Sequence, residues 1–170
     1  FFLLQPILTS LLLLFMYRRF KSSTFKQNNQ LRLFSALGLG VLWIASIVML
    51  LSPERSDTYL GLELIWALPP IIFQLAFGAD IIWKHRRVVF LTLAISTLYL
   101  SGADLLAINS GTWTIDPEQS FGIYLLGILP IEEFVFFLIT NVLICFGVTL
   151  VLSEESQERA SILARVPIVG

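Results

Sequence analysis

Charge is scarce in this chain, and its absence excludes several kinds of partner. Only 14% of the 170 residues are charged, the net charge is −1, and 56% of the residues are hydrophobic. The mean hydropathy is +0.84. Because basic residues are not in excess, we expect no nucleic-acid partner. The apolar content is typical of membrane proteins rather than of soluble domains.

Cysteine and histidine are nearly absent as well. The one cysteine, Cys145, cannot form an internal disulfide, and the one histidine, His85, lies in a basic loop. A histidine-based metal site or catalytic triad is therefore not expected. The sequence also lacks the Gly-x-Gly-x-x-Gly pattern of dinucleotide-binding folds. We accordingly predict neither a metal ion nor a cofactor.

Long apolar segments dominate what is present. About 20 apolar residues cross the hydrocarbon core of a bilayer, and a spanning segment satisfies its own backbone hydrogen bonds by forming a helix. The sequence therefore predicts an all-α, multi-pass membrane protein with about five transmembrane helices. The predicted spans are roughly 1–17, 31–52, 60–83, 87–108 and 130–152.

The basic residues are concentrated in two of the loops between these spans. Residues 18–32 contain five lysines and arginines, and 84–87 read Lys-His-Arg-Arg, whereas 109–119 contain none. Positively charged loops stay on the cytoplasmic side of a membrane. We therefore expect loops 18–32 and 84–87 to be cytoplasmic and loop 109–119 to lie on the opposite side. The polar tail, 153–170, would also be cytoplasmic, as a frayed or amphipathic end.

Prolines suggest two local features. The pair Pro69-Pro70 predicts a kink in the third helix. Pro130 suits the first turn of a helix, where its missing N–H is not needed, and it therefore predicts the start of the last helix. Residues 120–129 would then form a short separate helix or a re-entrant segment.

Two adjacent carboxylates interrupt the last apolar stretch, in which residues 129–137 read Leu-Pro-Ile-Glu-Glu-Phe-Val-Phe-Phe. A charged side chain inside hydrocarbon costs about 2.5–3.5 kcal/mol on insertion scales. One interpretation is a capping role at the membrane interface, where the helix dipole favours negative charge. The other is an acid kept protonated by burial, which can protonate an alkene while its partner takes a proton back. Adjacent residues point about 100° apart on a helix. We expect one of Glu132 and Glu133 to face a cavity and the other to anchor a neighbouring helix.

Two further acids lie close to the membrane spans. Asp104 is either a proton partner at the depth of the two glutamates or a solvated helix end. Glu63 is either another buried acid or a helix-start residue.

Several aromatic and polar residues are further candidates. Trp113 fits an interfacial belt or the mouth through which a lipid enters. Phe134, Phe136 and Phe137 suit lipid-facing or packing positions, but aromatic faces also stabilise a carbocation by about 0.5–2 kcal/mol each. Thr140 and Asn141 could hydrogen-bond across helices.

A short internal repeat links the two ends of the chain. Residues 136–140, Phe-Phe-Leu-Ile-Thr, resemble residues 1–5, Phe-Phe-Leu-Leu-Gln. This pattern predicts a parallel two-repeat helical bundle, related by an axis along the membrane normal. It also predicts a second Pro-x-Glu-Glu motif just before Phe1.

Taken together, these motifs resemble the integral-membrane lycopene cyclases. The residues are Asp104, Gly111-Thr112-Trp113-Thr114-Ile115, Gly122, Leu129-Pro130-Ile131-Glu132-Glu133 and Phe136-Phe137. The family includes the heterodimeric cyclases of actinobacteria, fused single-chain bacterial and archaeal relatives, and the cyclase domain of the fungal phytoene synthase–lycopene cyclase. The resemblance covers roughly Tyr59 to Gly147, and the first twenty residues through the repeated Phe-Phe element.

The resemblance implies an enzyme of carotenoid biosynthesis that cyclises the ends of lycopene without net redox change or a flavin. Glu132 and Glu133 would be the acid–base pair, supported by Asp104. Trp113, Phe134, Phe136, Phe137 and Asn141 would contact the polyene.

The resemblance also implies an organisation of the chain. Residues 1–20 would be the last helix of a truncated first repeat, 21–58 a linker with a connecting transmembrane helix, 59–152 the second repeat and 153–170 the tail. The implied partners are the bilayer and the missing first repeat or a paired subunit.

Two other functions compete with a cyclase. Glutamate-type intramembrane proteases also have a Glu-Glu pair, but they place an arginine shortly after it and histidines on later helices. Here apolar residues follow Glu133, and no histidine follows at all. A proton-coupled carrier or a lipid-binding membrane protein stays open, since acids at helix starts and a parallel repeat suit a carrier as well.

Overall fold

Six helices make up nearly all of the computed structural model, which describes residues 4–52, 58–113 and 120–165. A two-stranded hairpin precedes the fifth helix. The elements are α1 (Leu4–Arg19), α2 (Asn29–Leu51), α3 (Thr58–Lys84), α4 (Arg86–Asn109), β1 (Tyr124–Leu125), β2 (Leu129–Pro130), α5 (Ile131–Leu152) and α6 (Glu154–Arg165).

Four of the helices, α2 to α5, are long and apolar enough to cross a membrane. This confirms the prediction of an all-α membrane protein. The remaining predicted span, residues 1–17, corresponds to α1, which is described over 16 residues. At 1.5 Å per residue α1 is about 24 Å long, so its described part falls short of the usual spanning length. Residues 1–3 lie outside the described residues.

Helix α5 lies at the centre of the bundle and packs against α1, α3, α4 and α6, while α2 packs along α3. Two apolar clusters hold these helices together. One cluster includes Leu13, Ile81 and Cys145, and the other includes Leu68 and Ile139. Since both clusters contain residues of α3 and α5, these two helices contribute to both parts of the apolar core.

The two basic loops lie at one end of the bundle, which we call the basic end. The backbone N–H and the hydroxyl of Ser23 both donate to the carbonyl of Lys84, at 3.1 and 2.7 Å. Arg86 donates to the Ser23 hydroxyl at 3.1 Å. Which side of a membrane this end faces stays a prediction. Helix α3 ends and α4 begins at the basic end. The start of α3, the end of α4 and the start of α5 lie at the opposite end of the bundle, which we call the cavity end.

Helix α3 departs from helical geometry at Gly78, with φ −153° and ψ 35°. Both Pro69 and Pro70 lie within the helix, and the kink expected at this pair stays a prediction. A Cβ atom at Gly78 would overlap Cδ2 of Leu150 on α5. The absence of a side chain at this position thus permits the close approach of the two central helices.

Residues before α5 form a hairpin, so the prediction of a short helix over 120–129 is wrong. Tyr124 pairs with Pro130 and Leu125 with Leu129. Within the three-residue loop, the N–H of Ile128 donates to the carbonyl of Leu125 at 3.1 Å, and the φ angles of Leu126 and Gly127 are 52° and 71°, positive as at both central positions of a type I′ turn. The re-entrant alternative stays a prediction. Helix α5 starts at Ile131, directly after Pro130, one residue from the expected position.

The polar tail folds back onto the bundle as α6. Arg159 forms two hydrogen bonds with the carboxylate of Asp80 on α3, at 2.9 and 2.8 Å. Lys84 pairs with Glu155 on the same face. The tail is therefore an amphipathic helix docked at the basic end rather than a frayed end, as far as Arg165; residues 166–170 lie outside the described residues.

Candidate active site

A cavity of about 490 Å³ lies between α3, α4 and α5 at the cavity end. Its walls are mostly aromatic, and three carboxyl groups are set into them. The lining residues are Tyr59, Leu62, Glu63, Trp66, Asp104, Trp113, Glu133, Phe136 and Phe137.

The polarity of the three helices explains why these acids meet. Glu63 lies in the second turn of α3, Asp104 lies about 7.5 Å before the end of α4, and Glu133 lies in the first turn of α5. Since α3 and α5 start at the end where α4 finishes, the three carboxyls lie at similar depth. This arrangement agrees with the expectation from the sequence that Asp104 lies at the depth of the glutamates.

Glu133 is held by a hydroxyl group on the neighbouring helix. Tyr59, in the first turn of α3, donates a hydrogen bond of 2.5 Å to Oε1 of Glu133. A donor to an ionised carboxylate forms one of the stronger kinds of protein hydrogen bond. The contact fixes the Glu133 carboxyl where α3 and α5 approach each other.

Glu132 is arranged differently and does not line the cavity. Its side chain is 0% exposed, and its Oε1 accepts hydrogen bonds from the backbone N–H of Phe121 at 2.6 Å and the hydroxyl of Ser120 at 3.1 Å. The two adjacent glutamates thus point in different directions, as expected. The segment anchored by Glu132 is the chain leading into the hairpin, rather than a neighbouring helix.

Glu63 and Asp104 are buried with unused hydrogen-bonding capacity. Glu63 is 3% exposed and Asp104 is 2% exposed. Within the part of the chain that the structure describes, neither carboxyl oxygen of Glu63 has a hydrogen-bond partner, and Oδ2 of Asp104 has none. The side chain of Trp113 interacts with Asp104. Asp104 is therefore not at a solvated helix end, and Glu63 is a buried acid rather than a helix-start residue.

Most of the residues predicted from the sequence meet at the cavity. Glu133, Asp104, Trp113, Phe136 and Phe137 line it, whereas Glu132, Phe134 and Asn141 do not. All of their proposed roles stay predictions.

Asn141 lies deeper and joins three helices. It is fully buried, accepts a hydrogen bond from Thr9 on α1 at 2.9 Å and donates one to Thr97 on α4 at 3.2 Å. One helical position earlier, Thr140 accepts a hydrogen bond of 2.7 Å from Gln5 on α1. The predicted hydrogen bonds across helices at Thr140 and Asn141 are thus confirmed.

Sequence reasoning missed Tyr59, Leu62 and Trp66. The spacing of positions 59, 62, 63 and 66 places them on one face of a helix, and a tyrosine and a glutamate on such a face are a usable signal. Among the described residues, no group of three or more His, Cys, Asp or Glu side chains could hold a metal ion.

Curated relatives match a large part of the chain. The lycopene beta-cyclase of Halobacterium salinarum is 41% identical over 92 residues, which cover 54% of this chain and 38% of that protein. The bifunctional lycopene cyclase/phytoene synthase of Aspergillus oryzae is 33% identical over 150 residues, covering 86% of this chain and 25% of that protein. The bifunctional protein of Leptosphaeria maculans is 47% identical over 92 residues, covering 53% and 16%.

No family model and no solved structure matches the chain. The matched regions span less than two fifths of each relative's length, at most 38%. Over the matched regions these relatives are 33–47% identical to the chain. The chain is thus similar, over part of their length, to proteins of the lycopene cyclase family.

Proposed function

We propose that this chain contributes a site for redox-neutral, acid-catalysed cyclisation of the open ends of lycopene or a related linear carotenoid. The observation that carries the proposal is the set of three carboxyl groups lining one aromatic cavity in a membrane bundle. Ionisable groups at such positions are costly, and for that reason they indicate a functional site. The relatives named as lycopene cyclases supply the substrate class.

The reaction needs an acid, a base and protection for a cation. A proton adds to the less substituted carbon of the terminal double bond and leaves a tertiary carbocation. The π electrons of an internal double bond then close a six-membered ring, and loss of a ring proton restores a double bond. One proton is gained and one is lost, so the product is an isomer of the substrate.

The residues at the cavity match these requirements. The Glu133 carboxylate, with the hydrogen bond from Tyr59 favouring its charged form, suits the base that removes the ring proton. Asp104, across the cavity on α4, supports it as a second carboxyl group. Trp113, Phe136 and Phe137 present aromatic rings to the cavity, and each could stabilise a cation by about 0.5–2 kcal/mol.

Glu132 has a positioning role in this proposal. Its hydrogen bonds to Ser120 and Phe121 tie the start of the hairpin to the first turn of α5. The same turn carries Glu133. Glu132 thus fixes the base indirectly, rather than exchanging a proton with the polyene itself.

The substrate would enter sideways from the bilayer. Leu62 and Trp66 line the cavity, yet they are 49% and 48% exposed. In a spanning helix, exposed apolar side chains face lipid. A hydrophobic polyene could therefore pass into the cavity beside α3 without crossing water.

A second, similar half would complete the enzyme, either in the same protein or in a paired subunit. The hydrogen bond between Gln5 and Thr140 joins the last residues of the two repeated elements, 1–5 and 136–140. Equivalent residues meet in this way across a twofold axis. The contact supports a parallel two-repeat bundle in which 1–20 close the first repeat, 21–58 connect the two, and 59–152 form the second.

The test uses the full-length protein in bacterial cells that accumulate lycopene, with extracted carotenoids separated by chromatography. We expect ring-containing product from the wild type and from Glu158→Gln, a control at an exposed position on α6. Glu133→Gln should lose about 100-fold or more of the rate per inserted protein. Unchanged lycopene beside intact, inserted wild-type protein would contradict the proposal and favour a carrier or a lipid-binding protein.

A further inference from the structure

We propose that Glu63 is the acid that protonates the terminal double bond of the polyene. This inference rests on the proposed function and adds to it a residue outside the Pro-x-Glu-Glu motif. Glu63 lies on α3, whereas the motif lies on α5.

Burial without any partner distinguishes Glu63 from the other acids. It lines the cavity, is 3% exposed, and has no hydrogen-bond partner at either oxygen within residues 4–52, 58–113 and 120–165. An ionised carboxylate that has lost water and gained no donor is very unfavourable. A neutral carboxyl group carries its own proton and avoids this cost, so Glu63 suits a group that holds a proton until an alkene arrives.

The remaining carboxyls are committed to other contacts. Oε1 of Glu133 receives the Tyr59 hydroxyl, and Oε1 of Glu132 receives a backbone N–H and a hydroxyl. Donors of this kind stabilise an ionised acceptor. Asp104 interacts with Trp113. Glu63 alone among these four acids has no donor directed at either oxygen in the described structure.

The surroundings of Glu63 suit a hydrocarbon end group. Leu62 and Trp66, its neighbours along α3, form the exposed side of the cavity. Phe136 and Phe137 form part of the wall contributed by α5. A polyene end entering beside α3 would pass the helix face that carries Glu63.

The proton transfers balance over one turnover. The O–H bond of Glu63 breaks as a C–H bond forms at the terminal double bond, and the Glu63 carboxylate is left behind. Ring closure moves the positive charge to a ring carbon. The Glu133 carboxylate then takes a ring proton as the new double bond forms. Return of that proton from Glu133 to Glu63 restores the site, without an oxidant or a reductant.

The first experiment compares Glu63→Gln and Glu63→Asp in the full-length protein, with Glu158→Gln as the matched control. We expect Glu63→Gln to lose about 100-fold or more of the cyclisation rate per inserted protein, and Glu63→Asp to recover part of it. Lycopene retained by the purified proteins should be unchanged. A wild-type rate in Glu63→Gln, or a loss of rate fully explained by loss of bound lycopene, would overturn the assignment.

A second experiment separates the donor from the base. It uses a lycopene analogue with an epoxide in place of the terminal double bond, because an epoxide is protonated far more easily. The defect of Glu63→Gln should shrink at least tenfold with the epoxide, while the defect of Glu133→Gln should stay the same. An equal defect of Glu63→Gln with both substrates refutes the donor role. If the wild type forms no ring from lycopene, the proposed function itself fails, and this assignment fails with it.

Discussion

At the scale of single residues, the contact between Tyr59 and Glu133 links two helices at the point where chemistry is proposed. The hydrogen bond measures 2.5 Å, and it joins the first turn of α3 to the first turn of α5. A hydrogen bond to a charged group contributes about 1.5–3 kcal/mol. Tyr59 therefore affects both the position and the charge of Glu133, the proposed base.

Replacing this tyrosine tests its part in the site. We expect Tyr59→Phe to lower the cyclisation rate by about tenfold, since about 1.4 kcal/mol corresponds to a factor of ten. The matched control is Tyr99→Phe, which removes a hydroxyl from a side chain that is 65% exposed. Product formed per inserted protein is the measurement. Equal rates for Tyr59→Phe and the control would show that the hydroxyl does not matter.

At the scale of elements, a buried charged contact between Asp80 and Arg159 attaches α6 to the bundle. The Asp80 side chain is 0% exposed and that of Arg159 is 15% exposed. Asp80 also accepts hydrogen bonds from the backbone N–H groups of Asn28 and Ile81. A single carboxylate thus holds the tail helix, the start of α2 and the end of α3 together.

Breaking this contact should be costly because it leaves Asp80 buried without its cation. We expect Arg159→Met to lower the free energy of unfolding by about 3 kcal/mol, as for other buried ion pairs that lose one partner. Unfolding by denaturing detergent in mixed micelles measures the change. The double variant Asp80→Asn with Arg159→Met should recover part of the loss, and Arg87→Met, at an exposed position, should cost little. A double variant no more stable than Arg159→Met would contradict this explanation.

At the scale of the whole molecule, hydrogen bonds from α5 help to fix the relative positions of the helices. Apolar packing alone is not directional and does not specify these positions. Asn141 contacts both Thr9 and Thr97. Interhelical hydrogen bonds in membranes contribute about 0.6 kcal/mol each on average. Two such contacts from one side chain therefore specify how three helices meet.

Asn141→Leu separates this structural role from contact with substrate. We expect the variant to lose about 1–2 kcal/mol of stability, measured by detergent unfolding, and to keep its cyclisation rate per folded protein. Asn109→Leu, at the exposed end of α4, is the control. If Asn141→Leu keeps its stability and loses activity, Asn141 contacts the polyene after all.

Much of the architecture can be predicted from the sequence, because spanning helices depend on local composition. The apolar segments gave the positions of α2 to α5, and Pro130 gave the start of α5. The hairpin over 120–129 was harder to predict from the sequence. Its turn depends on a positive φ at Leu126, and leucine is a residue type that does not indicate a positive φ. The kink at Gly78 depends on the approach of Leu150 from a distant part of the chain.

The part of the candidate site that belongs to a short sequence motif could be predicted from the sequence. The part that forms only when distant helices pack together could not. Glu132 and Glu133 are conspicuous because hydrocarbon surrounds them in the sequence. Their division between the cavity and the Ser120–Phe121 segment depends on how α5 is rotated in the bundle. Tyr59 reaches Glu133 across 74 positions of sequence, and no local pattern indicates such a pairing.

The cavity has a single set of carboxyls and opens beside α3, past Leu62 and Trp66. A linear carotenoid is too large to fit completely inside a cavity of about 490 Å³. One terminus can therefore be inside while the rest of the polyene stays among the lipid tails. Under the proposed function, closing both ends of one polyene would require two separate encounters, with release and reorientation between them. A singly closed intermediate would then return to the bilayer, and the proportion of one-ringed product would depend on how quickly it is bound again.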